Sequence, residues 1–276
     1  MIKVIAADMD GTLLNSGHTI SEQTYQTIQD VQQGGIRFMI ATGRDYPSAS
    51  DTLKNFPLDC DWVTGSGAEI RNRDGELLQT IPMDPKCFEQ IVSCVEKFPA
   101  YIRFCTTGKD IVLTEEEDLE QRLLEESRLF FPGNTDEEIL ESDQFQQLLR
   151  RMCRIGSLEE LWEMKIPIYK VFINAKTGEI IQEIWKEMEK IPGIAVASSF
   201  FNNLELTDEK AQKGHAISRY MEKLGYRKEE VMVLGDSLND LSMFQAGFGA
   251  AVAMGNAHEK ILEAAGYITK TNDEDG

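Results

Sequence analysis

The chain has 276 residues (31.2 kDa), 42% of them hydrophobic and 27% charged, an ordinary globular composition that excludes wholesale disorder or coiled coil. Its 47 acids against 28 bases leave a net charge of −19. That charge is evenly spread, −9 between Met83 and Ala197 and −10 elsewhere, so no basic module for nucleic acid or anionic membrane is hidden in it.

Ile2 to Ala7 is a short apolar run ending at an acid, the pattern of a buried parallel strand. Ser21 is placed as a helix N-cap with Ile20 and Tyr25 as its staple, and Gly34-Gly35 stop that helix. Ile36 to Ile40 gives a second strand running into Ala-Thr-Gly-Arg, Pro47 opens another helix, and Asp61 to Thr64 gives a third strand. This alternation predicts an α/β core. Ile70-Arg71 and Leu77 to Ile81 flank Asn72-Arg73-Asp74-Gly75, a hairpin signal.

Beyond Pro82 and Pro85 the order changes. A helix over Cys87 to Lys97 precedes strands at Tyr101–Cys105 and Ile111–Leu113 and an acidic helix starting at Glu115. Phe130 to Arg151 yields no assignment. Ile168 to Ile173 reads as a strand, Glu179 to Met188 as a helix, and Ala195–Phe200 and Leu204–Leu206 as strands. The α/β pattern resumes with a helix from Gly214, a strand at Val231–Leu234, a helix from Leu238, a strand at Ala250–Ala253, a helix from Glu259 and a last strand at Tyr267–Thr269. The expected architecture is a Rossmann-like parallel sheet (1–82 plus 198–276) with an inserted α+β cap (83–197).

The five cysteines form no C-x-x-C and do not cluster with the three histidines, so neither a disulfide framework nor a zinc site is expected; a reducing cytoplasm fits. The N-terminus reaches an acid at position 8, too early for a signal sequence. The longest uncharged run, Leu241 to His258, holds three glycines and several polar residues and is no membrane span.

Four short motifs carry chemistry. The first strand ends in Asp8-Met9-Asp10-Gly11-Thr12, two aspartates whose repulsion a cation would offset; Mg²⁺ takes such oxygen ligands. Thr42-Gly43-Arg44 offers a hydroxyl and backbone N–H groups to phosphate oxygens. Lys213, in Gln212-Lys213-Gly214, supplies a point charge. Gly235-Asp236-Ser237-Leu238-Asn239-Asp240 again puts acids at a strand's carboxyl end. Each has a bland reading as a helix cap, turn or surface residue; together, in this order and spacing, they do not. There is no Walker A, no G-x-G-x-x-G and no complete G-x-S-x-G.

In these motifs and in its layout the chain resembles the haloacid dehalogenase superfamily, most closely the Cof-type branch with a large cap after the third core strand. The resemblance implies Asp8 as the nucleophile that becomes aspartyl-phosphate. It implies Asp10 as general acid/base, with its backbone carbonyl on Mg²⁺. Thr42 and Lys213 would hold the phosphoryl group, Lys213 also restraining Asp8. The Met9 backbone N–H, Gly43 and Asn239 would be further phosphate contacts, Asp236 the acidic metal ligand and Asp240 a supporting residue. The activity expected is a Mg²⁺-dependent phosphatase of small phosphate esters such as sugar phosphates, cytoplasmic, a monomer or weak homodimer, with no nucleic-acid or membrane partner. A phosphomutase, or a silent phosphometabolite-binding module, are the competing readings. Arg44, Arg103 and Lys170 are candidate specificity residues. Two departures stand out: Ser66-Gly67-Ala68 replaces the usual Asn-Gly-Ala, and the chain ends at Gly276 where the family usually adds a strand and helix, so a truncation or a less covered sheet edge is expected.

Overall fold

The structure is a computed structural model that describes residues 1–114, 119–131 and 133–276. β1 (Val4–Ala7), α1 (Glu22–Gln33), β2 (Arg37–Ala41), α2 (Tyr46–Thr52) and β3 (Cys60–Thr64) alternate as expected, and β4 (Glu69–Arg71) and β5 (Leu77–Thr80) form the hairpin. Ser21 caps α1, its hydroxyl accepting from the Thr24 N–H, and Gly34 closes the helix. Then come α3 (Phe88–Val95), β6 (Ala100–Cys105), β7 (Asp110–Leu113), α4 (Leu119–Phe130), α5 (Asp136–Glu141), α6 (Asp143–Arg151), β8 (Met152–Ile155), α7 (Leu158–Met164), β9 (Lys170–Ala175), α8 (Gly178–Met188), β10 (Ile194–Ala197) and β11 (Asn203–Asp208). The chain closes with α9 (Lys213–Lys223), β12 (Val231–Gly235), α10 (Leu241–Gln245), β13 (Ala250–Ala253), α11 (Glu259–Ala264) and β14 (Tyr267–Ile268). The expected start of the acidic helix at Glu115 lies outside the described residues.

Among the described residues these strands form two sheets. The first is β14-β13-β12-β1-β2-β3-β4-β5, parallel from β14 to β3 with the antiparallel hairpin added at one edge. The protein is thus α/β with a central parallel sheet. Its strands are apolar on both faces, as a doubly covered sheet requires. Val4, Ala6, Met39, Ala41 and Val63 pack with Ile217, Met221, Met243 and Ile261 of α9, α10 and α11. Ala7, Phe38, Ile40 and Trp62 pack on the opposite face with Ile28 of α1 and Ala49 of α2.

The second sheet, β10-β11-β9-β6-β7-β8, is antiparallel apart from the β7–β8 pair. Its strands alternate. Ile102, Phe104, Val171, Ile173, Leu204 and Leu206 face α3 and α8, where Phe88, Ile91, Ile181 and Ile184 complete an apolar cluster. The residues between them, among them Arg103, Lys170 and Glu205, lie on the other face.

Two expectations are corrected. β11 belongs to the second sheet, paired between β10 and β9, so that sheet reaches Asp208 rather than stopping at residue 197. β10 also ends at Ala197 instead of running to Phe200. There the Asn203 side-chain oxygen accepts from the N–H groups of Ser199 and Phe200, which takes those donors away from any ladder.

Candidate active site

Asp8 is the residue after β1, and its N–H donates to Leu234 O of β12 at 2.9 Å, which sets it against the end of the neighbouring strand. Asp236 follows β12. Lys213 opens α9 and is fully buried; its Nζ donates to Asp8 Oδ1 and to Asp240 Oδ1, both at 2.6 Å, with Asn239 Oδ1 at 3.4 Å. The start of α9 sits this deep because Gly214 has no side chain: a Cβ there would lie 2.0 Å from Ser242 O of α10. Lys213, Asp8, Asn239 and Asp240 are therefore brought together.

One oxygen from each of Asp8, Asp236 and Asp240 lies within 4.8 Å of the others. Asp240 is already engaged. Its second oxygen accepts from the N–H groups of Asp236 and Ser237 at 2.9 and 3.1 Å, so it shapes the loop and anchors the lysine. Asp236 accepts from the hydroxyls of Thr12 at 2.8 Å and Ser237 at 2.9 Å. Neither hydroxyl was singled out from the sequence, although both lie inside the motifs. Gly11 permits this meeting of the two loops. It takes φ +80°, and a Cβ there would fall 2.4 Å from Asp236 Oδ2.

Three carboxylates share one ammonium here, and the electrostatics record the excess. Burial, then Asp240, pushes the Asp8 carboxyl well above the usual range, with Lys213 acting the other way and Asp236 and Asp10 adding repulsion. Asp236 is pushed up to about 6, first by burial and next by Asp240. For Lys213, burial opposes the charge, but Asp240 and Asp8 overcome it and hold the ammonium above the ordinary lysine range. An all-oxygen donor set with surplus negative charge and little room suits a hard divalent cation. Asp8 and Asp236 have the chemistry to hold one.

Asp10, two residues on, points elsewhere. Arg44 holds its carboxylate through two bonds, Nε to Oδ2 at 2.8 Å and an Nη to Oδ1 at 2.6 Å, and also donates to the Thr52 hydroxyl. Arg44, a candidate specificity residue from sequence, is thus a partner of Asp10. Thr42 is buried at the end of β2, and its hydroxyl accepts from the Arg44 N–H at 3.1 Å. Met9 is buried beneath the loop, its carbonyl accepting from the Leu14 N–H. Gly43 lies under the second sheet. Lys170 Nζ donates to its carbonyl oxygen at 2.9 Å, and a Cβ at Gly43 would lie 3.3 Å from Glu205 Oε2. Arg103, by contrast, is taken up by Asp110, Glu126 and the face of Phe172. Glu205 escaped the sequence reading; its one signal is a charge between two buried leucines in a strand.

The comparisons with known proteins meet this geometry. The model of the haloacid dehalogenase-like hydrolase family matches residues 5–276. The chain belongs to that family. Phosphatase YwpJ of Bacillus subtilis is 31% identical over all of this chain and 97% of its own length. A second Bacillus subtilis relative, the 5-amino-6-(5-phospho-D-ribitylamino)uracil phosphatase YcsE, is 29% identical over all of this chain and 92% of its own. A solved haloacid dehalogenase-like hydrolase from B. subtilis superposes with a TM-score of 0.85 at 31% identity, covering 100% of this chain and 97% of that one. As a haloacid dehalogenase-like hydrolase with phosphatase relatives across its full length, the chain is an enzyme, a hydrolase of phosphoric monoesters. Among the described residues no helix is long and apolar enough to cross a membrane.

Proposed function

We propose that the protein is a Mg²⁺-dependent phosphatase that hydrolyses small phosphorylated metabolites, sugar or polyol phosphates among them, through an aspartyl-phosphate on Asp8. The observation that carries the reading is the buried group of Asp8, Asp236 and Asp240 around one lysine, at the carboxyl ends of adjacent parallel strands, where ligands bind in open α/β sheets. Asp8 and Asp236, with the Asp10 backbone carbonyl, would hold Mg²⁺; when bound, it neutralises the phosphoryl oxygens and the crowded carboxylates.

The chain's own residues supply the rest. Asp8 Oδ attacks phosphorus and the bond to the ester oxygen breaks, the leaving alkoxide taking a proton from Asp10. Asp10 then takes a proton from water, which attacks the phosphorus and breaks the bond to Asp8, releasing inorganic phosphate. Lys213 keeps the Asp8 carboxylate aimed and meets the charge that develops on the equatorial oxygens, with Thr42, Gly43, the Met9 N–H and Asn239 as further contacts. Arg44 holds the Asp10 carboxyl through two hydrogen bonds. To protonate the leaving group, the Asp10 carboxyl must leave that grip. The polar face of the second sheet, with Lys170 and Glu205 against Gly43 and Ser66, acts in this reading as a cap over the site.

The test is phosphate release from a panel of hexose, pentose and polyol phosphates, including the ribityl phosphate for which relatives are named, with Mg²⁺ and with EDTA. Turnover that requires Mg²⁺ supports the reading. An isomerised ester without free phosphate makes the protein a mutase, and no Mg²⁺-dependent turnover on any ester overturns the proposal.

A further inference from the structure

The second sheet places one carboxylate where four separate segments meet. Glu205, on β11, is nearly fully buried. Its Oε2 accepts from the Ser66 hydroxyl at 2.6 Å and from Lys170 Nζ at 3.3 Å, and its Oε1 from the Ser199 hydroxyl at 2.8 Å, with Asn239 Nδ2 at 3.5 Å. Lys170 spends another donor on the Gly43 carbonyl. The Asn239 N–H donates to Ser198 O at 3.1 Å, and its side-chain oxygen faces Lys213. One ion pair on β9 and β11 therefore tethers both loops that flank Asp8, Thr42-Gly43 on one side and Asn239 on the other. Ser66 serves this carboxylate directly from φ +58°, a left-handed conformation uncommon for a residue with a side chain.

We propose that Glu205 and Lys170 are positioning residues for the phosphoryl group: they hold the Gly43 backbone and the Asn239 amide in the arrangement that receives it. The role rests on the phosphatase reading and deepens it. Glu205 stays ionised throughout the working range; burial works against its charge, but Lys170, Ser66 and Ser199 outweigh it and lower the carboxyl to about 2. The cavity it borders, with Ser66, Thr207, Gln212, Asn239 and Gln245, measures about 90 Å³. Ligand pockets begin at roughly 300 Å³, so this space admits water rather than a sugar ring. In this proposal Glu205 acts on the phosphate end through its neighbours, Gly43 by way of Lys170 and Asn239 directly.

A positioning role for the phosphate end has a signature that does not depend on the leaving group. Glu205→Gln and Lys170→Met should each weaken the binding of inorganic phosphate, measured by calorimetry with Mg²⁺, by about tenfold, and Ser66→Ala by a smaller factor. The value of kcat/KM should fall by the same factor for p-nitrophenyl phosphate as for the best sugar phosphate. Glu205→Gln added to Asn239→Ala should cost little more than Asn239→Ala alone, because the two act through one contact. Ser66→Ala carries the test if the charge variants fail to fold. Loss confined to sugar phosphates would make the pair a leaving-group determinant and overturn the proposal. A lowered melting temperature with unchanged phosphate affinity would reduce it to cap stability and overturn it as well. A wild-type protein that binds phosphate but hydrolyses no ester would instead remove the phosphatase reading, while the phosphate-binding arm still tests the pair.

Discussion

Two buried lysines sit on either side of the same loops and meet opposite electrostatic conditions. Lys213 has Asp8 and Asp240 at 2.6 Å each, with Asp236 close by, and two of the three carboxyls are driven above their ordinary range. Lys170 has Glu205 alone, two serine hydroxyls complete the shell, and that carboxyl falls to about 2. A balanced, hydrogen-bonded pair is a finished structural joint. A cluster with more anions than cations is unfinished, and the missing positive charge is what the bound metal ion would bring.

The largest effect that separates the two should come from Asp8→Asn. It removes the proposed nucleophile and should cut phosphatase activity more than about a hundredfold while the circular dichroism spectrum and melting curve stay those of a folded protein. Activity above about one hundredth of wild type, in a preparation free of contaminating phosphatase, contradicts the assignment.

Next in size are stability effects of opposite sign. Lys170→Met leaves the buried Glu205 carboxylate uncompensated and should cost about 3 kcal/mol in urea unfolding, much of it recovered in Lys170→Met with Glu205→Gln. Asp236→Asn removes one charge from the crowded cluster and should raise the stability of the EDTA-treated protein by about 1 kcal/mol, while Mg²⁺ loses most of its effect on the rate. Destabilisation by Asp236→Asn without metal would erase the contrast between the clusters.

The smallest effect is a pH slope. Asp236 is raised to about 6 in the folded chain, against about 3.9 for a free aspartate, so its ionisation opposes folding above pH 4 and is relieved as pH falls through 6. Glu205 is lowered to about 2 from about 4.3, so its contribution is complete above pH 4.3 and is lost only as pH falls toward 2. Between pH 7.5 and 5 Asp236 titrates and Glu205 does not. Protons then compete with Mg²⁺ at Asp236, and the rise in melting temperature produced by Mg²⁺ should shrink over that interval. An unchanged rise would take Asp236 out of the metal shell.

The parts of this molecule that the sequence discloses are those whose physics is local. β1 and β12 are apolar runs that end in acids, and the doubly covered parallel sheet makes such runs its signature. The Ser21 cap lies within three residues of its partner. α5 and α6 fall in the stretch from Phe130 to Arg151 that yields no assignment, because they are short and pack around Phe145 and Ile139 rather than along a long apolar stripe. β11 was legible as a strand but not as a member of the second sheet, since pairing is a contact between distant residues. The same limit hid Glu205, whose four donors come from residues 66, 170, 199 and 239. It also hid the partner of Arg44, which lies 34 residues before it in the chain. Asp8 and Asp236 were legible as candidates because each sits inside a dense motif.

The central claim is that Asp8 carries the phosphoryl group and Asp10 moves the protons. Asp10→Asn with Mg²⁺ and p-nitrophenyl phosphate tests both in one rapid-quench experiment. An aryl oxide leaves without help, so the first step survives, while water attack on the aspartyl-phosphate lacks its base. The account predicts a burst of up to about one nitrophenol per site followed by slow turnover, with acid-trapped phosphate mapping to Asp8. Equal loss of activity on aryl and sugar phosphates, with no phosphate trapped on the protein, would contradict it.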